Sequence, residues 1–129
     1  MDFAPGDLAL VERFVNESEP SPAQHALRAL LLANNGEALD TGAVGTLEAS
    51  LTVVLNGDGH ARLVGDDVVG ELLAIVAHAQ ADGTWQRMKA CPACGWAFYD
   101  RSRNRSRTWC AMAICGNRAK ARSYRERHR

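Results

Sequence analysis

The chain has 129 residues, 47% hydrophobic and 23% charged, which suits one compact unit or one unit with a small appendage. No stretch is long and apolar enough to cross a membrane, and Met1-Asp2-Phe3-Ala4-Pro5 lacks the basic and apolar regions of a secretory signal; a cytoplasmic protein with no membrane partner is expected. The formal net charge of zero hides a segregation, because residues 1–85 hold 3 basic and 13 acidic residues whereas residues 86–129 hold 12 basic residues against only Asp100 and Glu126.

In chain order, Asp7 can cap a helix whose one face carries Leu8, Val11, Phe14 and Val15. Ser21-Pro22-Ala23-Gln24 is a second helix start, with Ser as N-cap, Pro at the first helical position and Gln at the capping-box position. Ala23, Leu27, Leu30 and Leu31 continue that helix, and Asn34-Asn35-Gly36 stops it. Gly42 to Gly45 reads as loop or fraying helix. Leu51 to Leu55 reads as a strand, Asn56-Gly57-Asp58-Gly59 as a hairpin turn and His60 to Val64 as the return strand. Asp66-Asp67 caps a helix with Val68, Val69, Leu72, Leu73, Ile75, Val76 and Ala79, ended by Asp82-Gly83. Thr84 to Lys89 reads as a short strand leading into Cys91. His25, His60 and His78 are scattered and read as surface or packed histidines, and no nucleophile–base–orienter set can be assembled, so an enzyme is not expected.

All four cysteines lie in the basic segment, as Cys91-x2-Cys94, fifteen residues, then Cys110-x4-Cys115. Two short-spaced pairs at that separation match a structural zinc arrangement. Pro92 and Gly95 supply turn chemistry to the first pair, and Cys115 sits just before Gly116-Asn117, where a helix can begin. Four thiolates fill a tetrahedral sphere, which makes the site structural and closed. An iron–sulfur cluster and a redox dithiol at Cys91 and Cys94 are the competing readings. Trp96, Phe98, Tyr99, Trp109, Met112 and Ile114 are expected to form a small core around the metal.

Two basic arrays surround the cysteines. Arg101, Arg103, Arg105 and Arg107 alternate and would line one face of an extended segment; Arg118, Arg122, Arg125 and Arg129 form one stripe of a helix from Asn117 to about His128, flanked by Lys120 and Arg127. Such an excess of cations favours a polyanion, and arginine suits phosphates and guanine edges. A solvated charged face, or a dock for the acidic half, is the plainer alternative.

The residues Cys115-Gly116-Asn117-Arg118 resemble the signature of the CGNR zinc-finger proteins. So do Cys91-Pro92, Cys94-Gly95-Trp96, Phe98, Asp100, Ser102-Arg103-Asn104-Arg105-Ser106, Trp109-Cys110, Met112 and Lys120. The N-terminal part, most visibly Leu8 to Asn16, resembles that family's ABATE partner domain, although less helical sequence lies between Asn16 and the hairpin than the family pattern has. The resemblance implies a bacterial, stress-induced, DNA-binding transcription regulator, with the N-terminal domain sensing or dimerising. The expected fold is α+β: an acidic multi-helical domain with one hairpin over 1–84, then a treble-clef or zinc-ribbon-like finger over 85–129 ending in a basic helix. RNA and a second copy of the chain stay open as partners. The sequence names no small-molecule effector for the N-terminal domain.

Overall fold

The computed structural model describes residues 3–45 and 47–127, without the Met112 side chain. Thr46, His128 and Arg129 therefore lie outside it, and with them the last arginine of the predicted stripe.

The first helix, α1 (Leu8–Glu17), buries Leu8, Val11 and Val15. Asp7 does not cap it, because its own backbone is already helical and its side chain accepts no cap bond. The helix is instead started by the Pro5-Gly6 turn, where Pro5 and Gly6 carbonyls accept from the Leu8 and Ala9 amides. The second helix, α2 (Pro22–Asn34), begins as predicted, with the Ser21 hydroxyl accepting the Gln24 amide at 3.1 Å. The Gln24 side chain does not close a capping box. It donates instead to the Val15 and Ser18 carbonyls at the end of α1, at 3.0 and 2.8 Å, where the last carbonyls of a helix lack partners within it.

A single turn, α3 (Thr41–Val44), is capped by Asp40. The hairpin follows: β1 (Leu51–Leu55) pairs antiparallel with β2 (Ala61–Gly65), with Val53 opposite Leu63. Helix α4 (Val68–Asp82) is capped by Asp67, whose carboxylate accepts the Gly70 amide at 2.7 Å, and ends at left-handed Gly83. Its entry requires Gly65, since a Cβ there would lie 2.1 Å from the Glu71 nitrogen.

The strand predicted over 84–89 is shorter. Trp85–Arg87 forms a 3₁₀ turn, and the strand is β3 (Met88–Ala90), paired antiparallel with β4 (Ala97–Tyr99). The turn wins because it drives Trp85 into the core, while the Asn34 carboxamide donates to both Trp85 O and Met88 O. One apolar core joins Leu8, Val11 and Val15 of α1, Leu27 and Leu31 of α2, Leu72, Ile75, Val76 and Ala79 of α4, Trp85, and Met88, Ala90 and Ala97 of the second hairpin. The core thus runs without a break across residues 84 and 85. The chain ends in a π-type turn (Met112–Gly116) leading straight into α5 (Asn117–Arg127). Among the described residues no helix is long and apolar enough to cross a membrane.

Candidate metal centre and basic surface

Cys91 stands at the end of β3 and extends its ladder, donating its amide to Trp96 O at 2.9 Å. Cys91 O accepts the Gly95 amide at 2.8 Å, and Gly95 takes φ +79, so the chain reverses tightly between Cys91 and β4. This knuckle carries Cys91 and Cys94. Cys110 comes from the loop after β4, and Cys115 from the π-type turn, held by its amide on Ala111 O at 2.9 Å.

All four Sγ atoms lie within 4.8 Å of one another, with Cys94 to Cys110 at 3.5 Å and Cys110 to Cys115 at 3.6 Å. Four sulfurs about 2.3 Å from a tetrahedral zinc would be about 3.8 Å apart, so the cluster is already close to the size of a filled site. Among the described residues no disulfide joins them. The electrostatics agree. Burial opposes a Cys91 thiolate, but amides of Cys110, Cys94 and Ala93 directed at its sulfur bring its pKa down to about 6. Burial and the adjoining sulfurs push the Cys110 thiol up. Thiols packed this closely cannot all ionise unless a cation sits between them. Sulfurs this close surround a single ion rather than a multi-iron cluster, and four thiolates give a zinc ion there a closed sphere.

The small core expected around the metal is only partly there. Phe98 is buried with Cys91 and Cys115, and Trp109 packs against them. Trp96 and Ile114 are instead 51% and 53% exposed, because each projects from a tight turn rather than from a strand facing the metal. Tyr99 packs against the main core, and the Met112 side chain lies outside the described atoms.

The Arg101 to Arg107 segment is a compact turn, not an extended strand with one arginine face; Arg105 even adopts φ +53. The buried pair Lys89–Asp100 organises it. Lys89 Nζ donates to Asp100 Oδ2 at 2.8 Å and to the Arg105 and Arg107 carbonyls at 2.8 and 2.7 Å. Asp100 also accepts the Ser102 and Arg107 amides. The four arginines consequently differ. Arg107 lies over the Phe98 ring at 4.3 Å and donates to the Trp109 and Cys110 carbonyls. Arg101 reaches Phe3 O and lies over Tyr99, and Arg105 donates to Gln86 Oε1. Arg103 alone of the four has no intramolecular partner among the described residues.

Helix α5 buries none of its residues. Arg118, Lys120, Arg122, Arg125 and Arg127 are all exposed on it, accompanied by one acid, Glu126. Arg125 donates to Ala121 O within the helix.

Residues of α1 and α2 that the sequence did not mark as functional hold this site to the body. Asn16 makes a two-way bond with Ala97, accepting its amide at 2.7 Å and donating to its carbonyl at 3.0 Å. Arg28 bridges Gly95 O and Val15 O, and Asn35 donates to Ala90 O and Thr108 O. The available signal was the doubled amide Asn34-Asn35, which served only as a helix stop.

With this geometry in place, comparison with known families is direct: residues 87–128 match the family model of the CGNR zinc finger. The match covers the C-terminal third and leaves the N-terminal helices outside it. No curated protein matches the chain.

Proposed function

Because residues 87–128 form a CGNR zinc finger with a site for one structural zinc, we propose that this protein is a DNA-binding transcription regulator in which α5 contacts the duplex. The observation that carries the reading is the state of α5. It is launched from a zinc ligand, buries no residue, and carries Arg118, Lys120, Arg122 and Arg125 into solvent. Like charges at three- and four-residue spacing destabilise an isolated helix, and phosphates relieve that repulsion. An α-helix also fits the major groove, where arginine can pair with guanine edges.

The loop contributes in a different way from the helix. Among the described residues Arg103 is the loop arginine without an intramolecular partner, whereas Arg101, Arg105 and Arg107 are engaged within the fold. The zinc acts by position: it fixes the turn from which α5 departs. Four thiolates leave no coordination place for substrate, and this supports a non-catalytic reading.

The test is fluorescence anisotropy with duplex DNA across a salt series. Binding should fall steeply as salt rises, since each neutralised phosphate releases counterions. Failure to bind duplex even at low salt would sink the reading, and tighter binding of structured RNA at equal salt would replace DNA as the partner. Selection from random duplexes would then show whether any sequence is enriched.

A further inference from the structure

The first hairpin has two edges, and they are treated differently. Along β2 the outward amides are already used: Leu63 N–H donates to His78 Nε2 at 3.2 Å and Gly65 N–H to Glu71 Oε1 at 3.0 Å, both acceptors being side chains of α4. These two bonds fix the phase of the ladder. In an antiparallel pair, residues whose partners turn outward turn outward themselves. Val53 is opposite Leu63 and Leu51 opposite Gly65, and Leu55 follows in the same phase opposite Ala61. The bonds that bracket the strands agree, with Asn56 N–H on His60 O at one end and Asp66 N–H on Ser50 O at the other. Leu51, Val53 and Leu55 therefore present their amides and carbonyls on the free edge of β1, where no third strand pairs among the described residues.

The side chains of the same three residues share one face of the hairpin with Ala61 and Leu63. They are exposed, Leu51 at 37%, Val53 at 65% and Leu55 at 72%. Proteins commonly guard such an edge with lysine, proline or a bulge. Here residues 49–57 hold no charge and no proline, although they lie in a strongly acidic half of the chain.

We infer that β1 is a self-pairing edge, and that two copies of this chain join through antiparallel β1–β1 addition centred on Val53. The strand is nearly palindromic, Leu-Thr-Val-Val-Leu. Antiparallel pairing about Val53 sets Leu51 of each copy opposite Leu55 of the other. It also matches all three outward amides of each strand with outward carbonyls of its twin, because outward residues form the hydrogen-bonded pairs of the new ladder. A two-fold interface needs a surface complementary to itself, and this strand is one in both backbone and side chains.

The experiment is sedimentation of the zinc-loaded full chain over a concentration series, at low and high salt, with two variants. Val53→Pro removes one outward amide without removing a bond to β2, since that amide faces away from the ladder. Val53→Lys places a charge at the centre of the new sheet. The expected result is a wild-type dimer that persists as salt rises, and two monomeric variants with unchanged circular dichroism and zinc content. Should Val53→Pro misfold, Val53→Lys decides. A wild-type monomer throughout would overturn the inference. So would a dimer indifferent to both substitutions, or one that dissociates with salt, which would mark docking of acidic on basic surfaces instead.

Discussion

Asp100 and Lys89 meet at 2.8 Å with almost no exposure to solvent, and the turn holding Arg101, Arg103, Arg105 and Arg107 is wound around that contact. Burial raises the cost of the Asp100 carboxylate, but bonds from Lys89 and Ser102 outweigh it and hold the pKa near 2. Truncating one member of such a pair leaves the other charge buried and unpaired, a loss of about 3 to 5 kcal/mol. Asp100→Asn should therefore lower stability by roughly that amount, read by chemical denaturation. Lys89→Met should do the same.

The sign of the acid dependence follows from the depressed value. A carboxyl held near 2 in the folded state and near 3.8 when unfolded stabilises above the unfolded value, and that contribution is lost as pH falls through the folded one. The wild type should lose stability between these two values more steeply than Asp100→Asn does.

Glu12 behaves in the opposite sense. Its burial on α1 raises its pKa, although the Ala4 amide and the charges of Arg101 and Arg107 partly compensate. A carboxyl with a raised folded pKa stabilises below its unfolded value, and that advantage disappears as pH rises through the folded one. Glu12→Gln keeps an acceptor for Ala4 N–H and removes the charge. Its stability relative to wild type should grow as pH is raised from acid to neutral. A flat difference across that range would show that Glu12 is not destabilised by burial.

Arg122 and Arg107 should separate binding from architecture. Arg122→Ala is expected to keep zinc and fold, weaken duplex binding and reduce the salt slope by about one. Arg107→Ala removes the cation over Phe98 and the donors to the Trp109 and Cys110 carbonyls. It should retain zinc less well against a chelator. Equal losses of DNA affinity with intact zinc in both variants would mean that the loop contacts DNA as the helix does.

Zinc removal should melt more than the finger. Cys115→Ser breaks the cluster at the turn that starts α5, and metal analysis should find its zinc lost and circular dichroism its helix content reduced. Met88, Ala90 and Ala97 sit in the same core as α1, α2 and α4, so the helical body should also unfold at lower denaturant. Cobalt substitution of the wild type should give the intense thiolate charge-transfer bands of a four-sulfur site.

Local chemistry made much of this legible in the sequence. Ser21, Asp67 and Gly83 marked helix ends because caps act over three or four residues. The cysteine spacing gave the metal cluster because its pairs are short-range geometry. Longer-range partners left no periodic trace. Gln24 turned from its own helix to the end of α1, and Trp85 left its predicted strand for the core. The alternating arginines implied an extended face, but Lys89, sixteen and eighteen residues away, captured the Arg105 and Arg107 carbonyls and curled the segment. Trp96 and Ile114 looked like core by composition, while the turns that carry them point both outward.

The amide clamps of Asn16, Asn34 and Asn35, together with Arg28, bear on how portable the finger is. The matched segment begins at residue 87, yet the carbonyls of Trp85, Met88, Ala90, Gly95, Ala97 and Thr108 are gripped from helices far upstream. Grafted alone onto another protein, the segment would leave its scaffolding behind. To move the basic helix with its scaffold intact, Asn16, Arg28, Asn34 and Asn35 would have to travel with it.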